Sequence, residues 1–214
     1  MPADKNIIFD KDVSLTLLKE KKIAIIGYGN QGRAQALNLR DSKLKIKIGL
    51  RENSKSLNKV KCDGIDTLKI KDAVKWADII CLMIPDKIAP QIYKESIYPY
   101  LASGKTLLFS HGYNIHFKKI DTLSNINIIL VAPSAGGKVV REEYIKGTGV
   151  PALLAVDQDF TGNALELAKS YAKGIGSTRI CAFISTFKEE TETDIFGEQA
   201  ILTGGLPYLI KSSY

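Results

Sequence analysis

Two groups of residues in this chain have the types and the spacing to do chemistry. The first is Gly27-Tyr28-Gly29-Asn30-Gln31-Gly32, a GxGxxG run directly after an apolar stretch and directly before a helix-like one. Gly27 permits a tight turn, Gly29 lets a pyrophosphate approach the backbone, and Gly32 lets the following helix pack closely on the strand. The free N–H groups and positive dipole end of that helix would then face the phosphates. A glycine turn without a ligand is the bland alternative; the strand–turn–helix context favours a dinucleotide site. The second group is Asp194 and Glu198, four apart and therefore on one face of a predicted helix. Like charges at that spacing repel, and a hard divalent cation such as Mg2+ would remove the penalty. A solvated acidic face explains the same spacing, and two carboxylates leave an octahedral shell to be completed by water or further ligands.

The end of the second predicted strand bears on which dinucleotide fits. An NAD site usually offers a carboxylate there for the ribose hydroxyls. Here the strand ends Gly49-Leu50-Arg51-Glu52-Asn53-Ser54-Lys55-Ser56. Arg51, Ser54, Lys55 and Ser56 together form a plausible nest for a 2′-phosphate, which favours NADP. Glu52 is the competing feature, because it could face the ribose instead. A solvated basic loop is the reading without a ligand.

These residues need a scaffold, and the chain alternates apolar runs with helix-like stretches. Strands are predicted at Lys22–Ile26, Leu44–Leu50, Asp78–Ile84, Thr106–Ser110, Ile126–Ala132, Ala152–Val156 and Arg179–Ile184. Helices are predicted at Gln31–Arg40, Ile70–Ala77 and Thr161–Lys173. That alternation predicts a Rossmann-like, doubly wound α/β fold with a mostly parallel sheet covered on both faces. After Ile184 the pattern changes: Glu190, Asp194, Glu198, Ile201 and Leu202 recur at helical spacing until Gly204, Gly205 and Pro207 interrupt it. A domain boundary is expected near Ser185, giving a nucleotide-binding domain over 1–185 and the opening of a helical domain, cut off, over 186–214.

Bulk properties narrow the class. With 45% hydrophobic and 25% charged residues over 214 positions, the composition is that of a soluble globular protein. No run of apolar residues is long enough to span a bilayer, so no membrane partner is expected. The start, MPADKNIIFDKD, lacks the apolar region of a secretory signal, and a cytoplasmic protein is expected. The three cysteines (Cys62, Cys81, Cys181) fit neither a disulfide framework nor a metal motif. Cys81 and Cys181 sit in apolar runs, where a thiol behaves as a small hydrophobe. The net charge of +7 is spread along the chain without interleaved aromatics, so no nucleic-acid partner is expected. Apolar positions on the last helix (Ile195, Phe196, Ile201, Leu202) suggest a homo-oligomer.

Five segments are specific enough to name a family. GYGNQGRAQALNLRDS, PDKIAPQIY, SHGYNIHF, VREEYIKGTGVPALLAVDQD and TFKEETETDIFGEQAILTGG resemble ketol-acid reductoisomerase, in order, from roughly residue 10 to residue 205. The resemblance implies an NADPH- and Mg2+-dependent enzyme of valine, leucine and isoleucine biosynthesis. Such an enzyme shifts an alkyl group within 2-acetolactate or 2-aceto-2-hydroxybutyrate and reduces the product to a 2,3-dihydroxy acid. By matching motif, Tyr28, Asn30, Gln31, Arg51, Ser54 and Ser56 correspond to the family's cofactor contacts. So do Asp86, Lys87, Ile88, Ala89 and Gly137. His111 corresponds to the active-site histidine, while Asp194 and Glu198 correspond to metal ligands; His116 reads as structural.

Three departures stand out. The family's APKGPGH becomes Ala132-Pro133-Ser134-Ala135-Gly136-Gly137-Lys138, so Ser134 replaces the active-site lysine, and Lys138 is the nearest cation that could reach in. Arg33 replaces a common histidine. The family's helical domain also supplies two further metal-binding glutamates and a substrate-binding serine, all beyond the residues present here. The basic nest yields the first test. Arg51→Asp is expected to weaken NADPH binding far more than NADH binding, measured side by side by fluorescence titration. Equal losses would remove the case for a 2′-phosphate nest.

Overall fold

The computed structural model describes residues 6–214. The amino-terminal segment read above as no secretory leader therefore lies partly outside the described residues. Among the described residues nine strands form one sheet in the order β1-β9-β8-β7-β6-β5-β2-β3-β4. They are β1 Ile7–Ile8, β2 Lys22–Ile26, β3 Lys45–Leu50, β4 Thr67–Lys69, β5 Ile79–Leu82, β6 Thr106–Phe109, β7 Asn127–Pro133, β8 Ala152–Gln158 and β9 Ala182–Ile184. The helices of the first half are α1 Thr16–Lys19, α2 Asn30–Asp41, α3 Leu57–Cys62, α4 Ile70–Trp76 and α5 Ala89–Ile92. Those of the second half are α6 Tyr113–His116, α7 Gly137–Lys146, α8 Ala164–Gly174, α9 Phe187–Ile195 and α10 Leu206–Ser212.

The centre of the sheet explains why these runs become strands. β2 is Lys-Ile-Ala-Ile-Ile and is buried after its first residue. Successive side chains of a strand point to opposite faces. Ile23 and Ile25 accordingly join one apolar cluster with Leu39 of α2 and Leu167 and Tyr171 of α8. Ala24 and Ile26 join the other, with Val74 of α4, Ile80 and Leu107. Each wholly buried isoleucine of this kind stabilises the fold by roughly 1.5–3 kcal/mol. Cys81, on β5, is buried in the first cluster as a hydrophobe, and all three cysteines are free.

The block β4-β3-β2-β5-β6-β7 is parallel throughout. β2 lies between β3 and β5, so the chain reverses its direction of travel across the sheet there, and ligands of open α/β sheets bind at such a point, beyond the strand carboxyl ends. β8 pairs antiparallel with β7, and β1 pairs antiparallel with β9. The sheet is thus mostly parallel, as expected.

Several elements escape the sequence reading. β1 and β4 have two and three residues, too short to show a period. α7 escapes because its buried side is narrow: within it only Gly137 and Val140 are buried. The strand expected from Arg179 begins at Ala182, because Ser177–Arg179 forms a 3-10 turn after Gly176, whose φ is +88°. The expected interruption at Gly204, Gly205 and Pro207 does not occur. Helix α9 continues as a π-helical stretch over Phe196–Gly205 and then as α10. A Cβ on Gly204 would stand 2.4 Å from the Gln199 carbonyl oxygen, and one on Gly205 2.6 Å from that of Ala200. The glycines therefore permit the wide turn, and Pro207, which brings no backbone N–H, stands where that wide stretch passes into α10. No helix among the described residues is long and apolar enough to cross a membrane.

Candidate functional site

The glycine turn joins β2 to α2 at the carboxyl edge of the sheet, and its three glycines have distinct surroundings. Gly27 has φ +100°, and a Cβ there would lie 2.4 Å from the Met83 carbonyl oxygen. A Cβ on Gly32 would lie 2.8 Å from the Gly27 oxygen, the mark of close helix–strand packing. Gly29 has open space around it, where a phosphate could come up to the backbone. Beside the turn lies a pocket of about 270 Å³ lined by Gly29, Asn30, Gln31, Asp86, Ala89, Ser110 and His111, among others.

Other expected cofactor residues fall elsewhere. The buried phenol of Tyr28 donates to Asp63 Oδ2 at 2.9 Å, so that residue belongs to the turn by its backbone. Asp63 also accepts two hydrogen bonds from Arg33, both at 2.7 Å, and these hold its carboxyl below the usual range. This is what Arg33 does here. Gly137 packs under the turn: a Cβ would lie 2.1 Å from the Asn30 oxygen. Arg51 lines a separate cleft of about 620 Å³ with Asn53, Lys69 and Lys71. Ser54 Oγ accepts from the Ser56 backbone N–H at 3.3 Å, which shapes that loop. Glu52, the competing ribose ligand, forms an ion pair with Lys69 on β4. Ile88 is exposed, and Lys87 lines the larger cleft described next.

The second group of residues meets the end of β6. Helix α9 is started by Thr186, whose side chain accepts from the Glu189 N–H at 3.0 Å, and anchored by buried Phe187. Glu190, one turn on, is the residue that the sequence reading used only as a marker of helical period. Its carboxylate is buried, with Oε1 3.1 Å from His111 Nδ1 and Oε2 accepting from the Gly112 N–H at 2.7 Å. Asp194 Oδ2 lies 3.4 Å from the same His111 nitrogen. His111, Glu190 and Asp194 form a group able to hold a metal ion, with ligand atoms all within 4.8 Å of one another. Glu198 stands outside this trio on the π-helical stretch, but it lines with Asp194 and His111 a cleft of about 780 Å³, which Asp86, Lys87, Asn114 and Lys119 complete. Asn114 escaped the sequence reading, and so did the tie it makes: its Nδ2 donates to Asp86 Oδ1 at 2.8 Å.

The electrostatics follow from this crowding. The hydrogen bond that the His111 ring donates to Glu190 raises the pKa of His111 against the opposing effect of burial, with Asp86 and Asp194 adding to the rise. Burial raises Asp194, and the charges of Glu198, Glu190 and Asp86 push it further the same way. Burial likewise raises Asp86. Ser134 lines the adjoining cleft with His111, Glu190, Asp194 and Glu198 and brings no cation. Lys138 does not replace one: its side chain is 87% exposed and pairs with Glu142 at 3.8 Å. His116, 3.5 Å from Glu192, keeps its structural reading.

A doubly wound sheet with a glycine turn at its switch point, faced by a histidine and a run of helix-borne carboxylates, defines a dinucleotide-binding protein with a second, acidic half-site. Residues 17–181 match the family described as acetohydroxy acid isomeroreductase, NADPH-binding domain, and residues 187–214 match ketol-acid reductoisomerase, C-terminal domain. The chain belongs to the ketol-acid reductoisomerase family. It is 52% identical over 208 residues to the ketol-acid reductoisomerase (NADP(+)) of Methanocaldococcus jannaschii, a match covering 97% of this chain and 63% of that protein. The Pyrococcus abyssi protein of the same name is 50% identical with the same coverage. Among solved structures, an NADH-preferring ketol-acid reductoisomerase from an uncultured archean superposes with a TM-score of 0.93 at 41% identity, over 96% of this chain and 64% of that one. A semialdehyde dehydrogenase NAD-binding protein from Cupriavidus necator shares the fold alone, at 18% identity and a TM-score of 0.71. The chain thus spans somewhat under two thirds of the length of these family members.

The histidine–carboxylate pair supplies a pH-dependent test on the protein without divalent cation. A raised histidine pKa means that the protonated ring is favoured on folding. The resulting stabilisation is complete below the ordinary value near 6.5 and is lost as pH rises through the folded-state value. The His111 ring signal in an NMR titration is expected to move above 6.5 in the wild type and to fall in Glu190→Gln. Coincident titration curves for the two proteins would mean that Glu190 does not hold the proton.

Proposed function

We propose that this chain carries the NADPH-binding and first metal-binding part of a ketol-acid reductoisomerase acting on 2-acetolactate or 2-aceto-2-hydroxybutyrate. The observation that carries the reading is the meeting of the glycine-turn pocket with His111, Glu190, Asp194 and Glu198 at one edge of the sheet. Residues 186–214 are read as the opening of a helical domain, and the setting as cytoplasmic.

Both implied groups fit the residues present. The open space at Gly29 and the N–H groups at the start of α2 suit a pyrophosphate, and Arg51 with Lys71 offers positive charge one strand over, where Glu52 and Lys69 pair with each other. That arrangement favours the 2′-phosphate of NADP over a bare ribose. Asp194 and Glu198 offer hard oxygen donors to Mg2+ from one face of the cleft. When bound, Mg2+ supplies Lewis acidity toward substrate oxygens and NADPH supplies the hydride.

The chain's own residues have separable tasks. Glu190 orients the imidazole through Nδ1 and keeps it basic, so His111 can take or release a proton at Nε2. Gln31 and Ser110 form the floor between the turn and the histidine. Lys87 and Lys119 are the cations of the large cleft, available to a substrate carboxylate.

Ser134 favours a second reading, a protein that binds NADP without turning over, since no lysine faces the carboxylates from that loop. One assay series separates the two. NADPH oxidation with 2-acetolactate, with and without Mg2+, is expected to be Mg2+-dependent and to rise in Ser134→Lys. NADPH binding with no oxidation in either protein selects the second reading, and no binding at all rejects both.

The exposed apolar side chains Phe196, Ile201, Leu202, Leu206, Leu209 and Ile210 lie along the carboxyl-terminal helix, while Ile195 is half-buried. We propose that a second copy covers this face. Sedimentation at rising protein concentration is expected to show self-association that Phe196→Glu abolishes; a monomer at every concentration contradicts the proposal.

A further inference from the structure

A buried chain of hydrogen bonds links the middle of the sheet to the glycine turn. Gln35, one helical turn beyond Gln31 on α2, is wholly buried. Its Oε1 accepts from the Tyr171 hydroxyl of α8 at 2.9 Å. Its Nε2 donates to Gln31 Oε1 at 3.1 Å and to Ser110 Oγ at 2.8 Å. Gln31 Nε2 then donates to the Ala135 carbonyl at 2.8 Å, and Ser110 Oγ to the Val131 carbonyl at 3.1 Å. At the inner end the fully buried Cys81 thiol, pushed up to about 12 by burial, meets the Tyr171 hydroxyl.

The direction of every donor in this chain is determined. Backbone carbonyls only accept, so Gln31 must turn its NH2 to Ala135 and Ser110 its hydroxyl to Val131. Both then present an oxygen to Gln35, which must answer with Nε2. That leaves Oε1 for Tyr171, whose hydroxyl must donate. Two carbonyls at the rim therefore specify one amide orientation for Gln35, and the tyrosine completes it. The consequence reaches the site, because Gln31 and Ser110 both line the pocket beside Gly29, and Ser110 immediately precedes His111.

We propose that Gln35, polarised by Tyr171, is a positioning residue that holds Gln31 of α2 and Ser110 of β6 in one register, so that the nucleotide turn and His111 are set relative to each other before ligand arrives. This rests on the NADPH reading above and adds to it how the pocket is kept in shape. A core residue that merely fills space would not act through Gln31. Preorganisation of this kind strengthens binding without touching the ligand.

The test uses the whole chain and NADPH itself. Gln35→Met keeps the volume and removes both polar atoms. It is expected to weaken NADPH binding about tenfold, the size of one or two lost buried hydrogen bonds. Combined with Gln31→Ala it should add nothing to the larger single loss, because both act through one chain of bonds. In NMR spectra of the ligand-free protein the Gln31 side-chain amide protons should exchange slowly in the wild type and quickly in Gln35→Met. A folded Gln35→Met protein that binds NADPH like the wild type overturns the proposal, as do losses that multiply in the double variant. Should Gln35→Met fail to fold, Tyr171→Phe decides: about threefold weaker binding, again not additive with Gln31→Ala, supports the proposal, and unchanged affinity overturns it. A wild-type chain that does not bind NADPH is a separate result. It rejects the nucleotide reading and this inference with it, whereas an unaffected variant rejects only the inference.

Discussion

The buried carboxylate of Glu190 is the interaction on which the rest of the site depends. A carboxylate withdrawn from water has to be fully hydrogen-bonded or it is driven to its neutral form. Here the His111 ring, the Gly112 N–H and, at 3.4 Å, the Thr191 hydroxyl meet that demand. The first two contacts require α9 to lie directly against the end of β6, whereas Thr191 is on α9 itself. Gly112 makes this approach possible: a Cβ there would lie 2.4 Å from Thr191 Oγ1 and 2.7 Å from the Phe187 oxygen. Phe187 then secures the start of the helix in the second apolar cluster, packed edge-to-face on Phe109 with ring centres 6.2 Å apart. One missing side chain thus lets the acidic helix dock on the nucleotide-binding sheet. Asp194 and Glu198 reach the cleft because Glu190 has already set the helix's height and rotation.

The same principle governs the glycine turn. Gly27, Gly32 and Gly137 are places where backbone meets backbone too closely for a Cβ, and they hold β2, α2 and α7 together around the turn. Gly29 differs, since its surroundings are open, and that space is what a ligand needs. The two halves of the site are therefore built alike, by close approach of main chain, with polar side chains filling the remaining hydrogen bonds. Their charges differ. Carboxylates from Asp86, Glu190, Asp194 and Glu198 converge on the histidine side, while Arg51 and Lys71 line the cleft at the loop after β3, beside the Glu52–Lys69 pair and Glu95.

Much of this was legible in the residues. The GxGxxG run, the six strands of four residues or more and the shift to helix after Ile184 follow from spacing and period, because a buried parallel strand must be continuously apolar. Elements with a narrow apolar face or very few residues were not legible, as α7, β1 and β4 show. The π-helical passage through Gly204 and Gly205 was misread as a break, because glycine and proline carry the same signal whether a helix ends or widens. Glu190 had the right spacing to be counted with Asp194 and Glu198. Nothing in that spacing distinguishes a buried carboxylate from a solvated one.

What the sequence determined by itself was local and periodic: the order of strands and helices, the glycines that allow a tight turn, the presence of acidic residues on one helical face, and through whole motifs the family. What only the tertiary structure decided was pairing. It gave Glu52 to Lys69, Tyr28 to Asp63 and Glu190 to His111. Partners separated by 35 or 79 positions in the chain have no shared period. Their meeting depends on how sheet and helices pack, and burial then decides which charged groups must find one another.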